Sequence, residues 1–208
     1  MLKSHAEDYI LYPENCSKHL SLDEVALSEG ELYTVLTSKK SKGRKGSIVA
    51  MIKGTKSEEV IEKILKINRE IRLKAKEVTL DMAGSMKLIA KRCFPSAIQV
   101  VDRFHVQKLA TEAVQEIRIK YRWEAIDTEN EILKQAKAKR IKPEIQVFSN
   151  GDSRKQLLAR SRYLLYKSHD KWTKNQAERA EILFSEYPNL EKAYNLSGKL
   201  RRIYNQNT

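Results

Sequence analysis

Apolar and polar positions alternate from Lys18 to Glu24 (KHLSLDE), where Leu20 and Leu22 stand two apart. A run rich in β-branched and aromatic residues, ELYTVLTS, follows from Glu31 to Ser38, and a third apolar run, SIVAMI, covers Ser47 to Ile52. This pattern predicts three strands. Between the second and third lie Lys39, Lys40, Lys42, Arg44 and Lys45 with Gly43 and Gly46, so the connection is expected to be a basic antiparallel hairpin tip.

The period then changes. After Gly54 and Thr55, Ser57 with Glu58 and Glu59 predicts an N-cap, and Val60, Ile61, Ile64, Leu65 and Ile67 follow at helical spacing. Glu77 to Asp81 predicts a fourth strand. Ser85 to Phe94 predicts a helix with Met86, Ile89, Ala90 and Cys93 on one stripe, stopped by Pro95, and Ile98 to Asp102 predicts a fifth strand. A strand-helix-strand unit of this length makes its two strands parallel. Beyond Phe104 the apolar positions Val106, Leu109, Ala110, Ala113, Val114 and Ile117 keep three-four spacing, with interruptions at Ile141-Lys142-Pro143 and Asn150-Gly151-Asp152. The expected architecture is α/β: a mixed sheet of three antiparallel strands and two parallel ones with crossover helices over 17–105, then a mostly helical region over 106–208. Pro143 to Asp152 is the candidate break within the latter.

Composition narrows the function classes. Of 208 residues, 41% are hydrophobic and 32% charged, which supplies a core and excludes a wholly disordered chain. No stretch approaches the roughly 18 apolar residues of a membrane span, and Glu7 and Asp8 interrupt the region where a secretory signal would be apolar. Cys16 and Cys93 form no CxxC pair, which leaves neither a disulfide framework nor a zinc site and suits a reducing cytoplasm. The formal net charge is +13, and the basic excess grows from +1 over 1–55 to +4 over 56–104 and +8 over 105–208. A polyanionic partner is expected from this gradient, because each neutralised phosphate releases condensed counterions. Interspersed Lys and Arg that only solubilise helix faces would give the same totals.

Three predicted strands finish on or beside aspartate: Leu22-Asp23-Glu24, Leu80-Asp81-Met82 and Val101-Asp102-Arg103. Carboxylates at the carboxyl ends of neighbouring strands are placed to share a hard divalent cation. Asp81 and Asp102 also fit as N-caps of the helices that follow them. Asp23 precedes a hairpin return and lacks that structural explanation.

The element order resembles an RNase H-like catalytic core. Asp23-Glu24-Val25, Leu80-Asp81-Met82-Ala83 and the block from Phe94 through Asp102-Arg103-Phe104-His105-Val106 resemble bacterial insertion-sequence transposases of the DDE type. Asp102 and His105 match a Mutator-like Asp-x-x-His signature within the last and most specific block. The likeness extends over nearly the whole chain, through Leu164-Leu165-Tyr166 and Pro188 to Tyr194.

The resemblance implies DNA cleavage and strand transfer at element ends with two Mg²⁺ or Mn²⁺ ions. Asp23 would be the first acid, shared by both ions, and Asp81 the second. Asp102 and His105 would support them, the imidazole touching phosphate or orienting a carboxylate. Lys39, Lys40, Lys42, Arg44 and Lys45, with Arg118, Lys120 and Arg122 and the cationic stretch Lys137-Lys139-Arg140, would hold DNA backbone. The implied partners are DNA, further copies of the chain on that DNA, and a separate chain that reads the element ends. The family's third acid, a helical Glu in a Glu-x-x-Asn-x-x-Ile-Lys motif, is matched by none of Glu178, Glu181, Glu186 or Glu191. On that ground a C-terminally truncated catalytic domain is expected, with an inactive remnant that binds DNA or an intact partner as the alternative.

Overall fold

The computed structural model describes residues 8–27 and 30–206. The chain divides into two compact units, Met1–His105 and Val106–Thr208.

The first unit holds β1 (Tyr9–Leu11), β2 (His19–Ala26), β3 (Leu32–Ser38), β4 (Ile48–Lys53), α1 (Ser57–Leu65), α2 (Arg69–Arg72), β5 (Glu77–Leu80), α3 (Gly84–Cys93) and β6 (Ile98–Val101). The strands form one sheet in the order β1-β4-β3-β2-β5-β6. β2, β3 and β4 are an antiparallel meander, and β2-β5 and β5-β6 are parallel, as the sequence predicts for an RNase H-like sheet. β1 was not anticipated. It is only three residues long, too short for period-two alternation to register, and it pairs antiparallel with β4 at the edge.

Leu20 and Leu22 of β2, Leu36 of β3, Val49 and Ile52 of β4, and Val78 and Leu80 of β5 are buried with Val60, Ile61 and Ile64 of α1 and Met86, Ile89 and Ala90 of α3. The alternation in β2 and the helical stripes thus meet in a single core, and burial of such apolar area is what holds the sheet to its helices. Two helix starts differ in detail from expectation. Lys56 occupies the cap of α1 and Ser57 its first turn, where the Ser57 hydroxyl donates to Glu58. α2 is an added single turn, capped by Asn68, whose side chain accepts from the Glu70 amide at 2.8 Å.

α4 (Arg103–Lys139) begins directly after β6 and supplies the first helix of the second unit, about 55 Å long at 1.5 Å per residue. It ends at Arg140, which takes a positive φ of 54°, just before the Ile141-Lys142-Pro143 interruption. α5 (Arg154–Arg160), α6 (Lys174–Glu186) and α7 (Pro188–Gln206) complete this unit. Their core contains Val114, Leu157, Leu158, Leu164, Leu165, Leu183 and Leu190. Trp172 stacks on Tyr194 with ring centroids 5.5 Å apart and donates its indole N–H to the Leu164 carbonyl at 2.8 Å. Asp152, wholly buried before α5, pairs with Arg160 and, at 3.1 Å, with Arg179. Among the described residues no helix is long and apolar enough to cross a membrane.

Candidate functional site

Strand register brings the three aspartates to one place. Leu22 of β2 pairs with Leu80 of β5, and Leu80 with Val101 of β6, so Asp23, Asp81 and Asp102 each stand one residue beyond the same row. Neighbouring strands lie about 4.8 Å apart, and the row therefore sets Asp23 and Asp81 side by side with Asp102 on the far side of Asp81. β5 and β6 stop here, and the Asp102 amide still donates to the Leu80 carbonyl at 2.8 Å. β2 continues to Ala26 because its other edge stays paired with β3. Asp23 is thus a mid-strand residue that has lost its parallel neighbour, a correction to its expected position at a strand end.

Each carboxylate is anchored through its Oδ1. Asp102 accepts from the Phe104 amide at 2.8 Å, the geometry of an N-cap at the start of α4. Asp81 accepts from the Ala83 amide at 2.7 Å, an Asx turn that precedes α3, whose cap position belongs to Ala83. Capping accordingly accounts for Asp102 and only the turn for Asp81. Asp23 accepts from the adjacent Glu24 amide at 2.8 Å.

His105 lies in the first turn of α4, with Nε2 at 3.8 Å from Asp23 Oδ1, an ion-pair distance rather than a hydrogen bond. The exposed Phe104 ring meets the imidazole edge to face at 5.7 Å. The Asp-x-x-His spacing therefore has a geometric content: Asp102 starts the helix and the helix carries His105 to Asp23.

Glu24, which sequence reasoning quoted only as a neighbour of Asp23, belongs to the same group. Partial burial, followed by the charges of Asp81 and Asp23, holds its carboxyl above the ordinary glutamate value. Crowded carboxylates of this kind repel one another, and a hard cation would relieve that repulsion. The donor type fits Mg²⁺ or Mn²⁺. Among the described residues, however, no group of three or more His, Cys, Asp or Glu is placed to hold a metal ion together.

The late glutamates, none of which matches the third-acid motif, lie in the second unit. Glu178, Glu181 and Glu186 line a cavity of about 560 Å³ with Phe148, and Glu186 is held by Arg154 at 3.0 Å.

The basic residues divide into distinct environments. Lys40, Lys42, Arg44 and Lys45 are exposed in the β3-β4 connection, which takes the form of a short 3-10 turn followed by tight turns. Lys39 is committed to β5, pairing with Glu77 at 2.9 Å and donating to the Thr79 hydroxyl. This connection lies at the opposite end of the sheet from the aspartates: Ser38 pairs with Leu20, whereas Val35 pairs with Asp23, about 10 Å further along the strand.

Arg118 does not face solvent. It is 5% exposed, its Nε donates to Gln115 at 2.8 Å and its Nη1 to the Leu158 carbonyl at 2.9 Å, so it serves the core of the second unit rather than a phosphate. Burial, aided by Arg122 and Arg162, lowers its pKa. Lys120 and Arg122 are exposed. Arg118→Ala is expected to cost about 1–3 kcal/mol of folding stability by leaving buried acceptors without a donor. Lys120→Ala should change stability by under about 0.5 kcal/mol and flatten the salt dependence of DNA binding by about 0.9 in log-log slope. Urea unfolding and binding titrations across salt separate the two, and a flattened slope with unaltered stability in Arg118→Ala would contradict its structural role.

A family profile described as transposase, of the DDE ISL3 type, matches residues 20–208. No curated protein matches the chain. The matched span takes in β2, with Asp23, and every later element of both units, so that the chain belongs to the ISL3 family of DDE transposases.

Proposed function

We propose that this chain carries the catalytic carboxylates of a DNA transposase that cleaves phosphodiesters at insertion-element ends and transfers the resulting strands. The observation that carries the reading is the shared row of Asp81 and Asp102 just beyond the ends of β5 and β6 and of Asp23 within β2 beside them, with His105 near Asp23. Asp23 and Asp81 would hold Mg²⁺ or Mn²⁺, which when bound polarises the scissile phosphate and activates the attacking oxygen. Water as nucleophile gives cleavage, and a 3′-hydroxyl gives strand transfer by the same in-line displacement.

The remaining residues act through position. Asp102 fixes the first turn of α4, and that turn holds His105 where it can orient Asp23 or meet a phosphate oxygen. Lys40, Lys42, Arg44, Lys45, Lys120 and Arg122 would neutralise backbone outside the reacting centre. The proposed partners are element-end and target DNA, further copies of this chain assembled on it, and a separate chain that recognises the ends.

The test is Mn²⁺-dependent nicking and strand transfer on an element-end duplex. Salt-sensitive retention of the duplex with no cleavage in either Mg²⁺ or Mn²⁺ would replace catalysis with a DNA-binding role. If cleavage is seen, His105→Ala should slow it by about 10–100-fold, the range for residues that orient a metal ligand. It should also raise the Mn²⁺ concentration giving half the maximal rate. An unchanged metal requirement would remove the orienting role.

A further inference from the structure

The end of the first unit opposite the aspartates has a chemistry of its own. A groove of about 920 Å³ opens between the segment before β2, the start of β2 and the β3-β4 connection, with Lys18, Lys39, Lys40, Lys45 and Lys74 along its walls. Glu14 is the carboxylate among its lining residues. Glu77, the nearest acid on β5, is occupied by Lys39 at 2.9 Å and faces His19 at 3.4 Å. Lys18, Lys40, Lys45 and Lys74 have no carboxylate within ion-pair distance among the described residues. Four lysines left uncompensated around one concavity repel each other and gain when an anion enters.

The floor is polar and fixed. Ser38 donates to the Ser17 hydroxyl at 2.7 Å, Ser17 donates to the His19 carbonyl at 2.8 Å, and the Asn15 amide donates to the Ile48 carbonyl at 2.7 Å. Gly46, at φ 83°, lets the connection turn back beside Asn15, whose Oδ1 lies 3.4 Å from where a Cβ would stand. The lysines therefore extend from an ordered rim.

We propose that this groove is a second phosphate-binding site, which takes DNA backbone outside the reacting segment. The inference rests on the DNA reading above and adds a location. His19 at the groove and Asp23 at the carboxylates are four residues apart on one strand, about 13 Å, so one phosphate cannot serve both. The polyphosphate backbone is the ligand because four separated cations along an open groove match a repeating anion.

Two measurements on the full chain test this with a 30-bp duplex. First, Lys18→Ala, Lys45→Ala and Lys74→Ala combined should flatten the log-log salt dependence of binding by about 2–3, each lost phosphate contact removing about 0.9. The same number of charges removed on α3, Lys87→Ala, Lys91→Ala and Arg92→Ala, should flatten it less. Second, Cys16 lines the groove while Cys93 is buried, so duplex at low salt should protect Cys16 from maleimide alkylation several-fold. High salt should abolish that protection. A wild-type slope in the groove variant, an equal loss in the α3 variant, or Cys16 alkylation indifferent to duplex overturns the groove alone. Failure of the unmodified chain to bind duplex at any salt overturns the groove and the DNA reading together.

Discussion

Asp23→Ala and Asp81→Ala are each expected to reduce metal-dependent strand cleavage by at least about 100-fold, while duplex binding at low salt is retained or strengthened. The lower bound follows from comparison with outer residues that merely orient a ligand, whose removal already costs about 10–100-fold. A directly coordinating carboxylate must be worth more, because its oxygen is lost rather than misaligned. Binding should survive because removing a negative charge from a protein of net charge +13 lessens its repulsion of phosphate. Stability should also hold. Asp23 is about half exposed, with a local bond to Glu24 and a long contact to His105, and Asp81, among the described residues, accepts from a nearby loop amide. Asp102→Ala makes the internal comparison. Loss of an N-cap is expected to cost about 1 kcal/mol and to loosen the turn that carries His105, so its cleavage defect should accompany a stability defect. Single-turnover cleavage in Mn²⁺ together with urea unfolding distinguishes these cases, and full activity in both Asp23→Ala and Asp81→Ala would sink the catalytic assignment.

The largest stability effect is expected at Phe94. It is 1% exposed, closes the C-terminal end of α3, and lies in the core with Met86, Ile89 and Cys93. Phe94→Ala should cost about 3–5 kcal/mol, the loss of transfer free energy plus that of the cavity left behind. This is a large part of the 5–15 kcal/mol typical of a whole domain. Leu158→Ala, in the separate core of the second unit, should cost about 2–5 kcal/mol. Denaturant unfolding followed by circular dichroism checks both, and a change below 1 kcal/mol for Phe94→Ala would contradict its place in the core.

The sequence made some of these features legible and concealed others for identifiable reasons. β2, β5 and β6 are visible because apolar runs end in charge, and the strand-helix-strand spacing dictates their parallel sense. The exact meeting of Asp23, Asp81 and Asp102 was not legible, since spacing along the chain does not fix register between strands. Pairing of Leu22 with Leu80 and of Leu80 with Val101 fixes it. The cationic stretch around Arg118 looked like a solvated surface because charge was weighed without helical phase. In α4 the buried positions include Thr111, Val114, Gln115, Arg118, Ala125, Glu129 and Ala136, and Arg118 falls on that inward stripe. Phase therefore assigns Arg118 inward and Lys120 outward, whereas Arg122, four residues after Arg118, shares the stripe and is nonetheless exposed. The basic connection after β3 was legible as basic, but its location was not. Only the meander's direction reveals that it lies at the end of the sheet away from the carboxylates.

That separation makes the first unit electrically polar along its strands, acidic where the parallel strands end and basic where they begin. A charge distribution of this kind exerts a torque in the field of DNA before any contact forms. Of the two ends of the first unit, the lysine end should therefore be drawn to DNA ahead of the carboxylate end, at a rate that falls steeply with ionic strength. On the proposed function, presentation of the carboxylates to a phosphate would then follow as a rearrangement on DNA already bound. Raising salt should slow capture far more than it slows chemistry once the complex has formed.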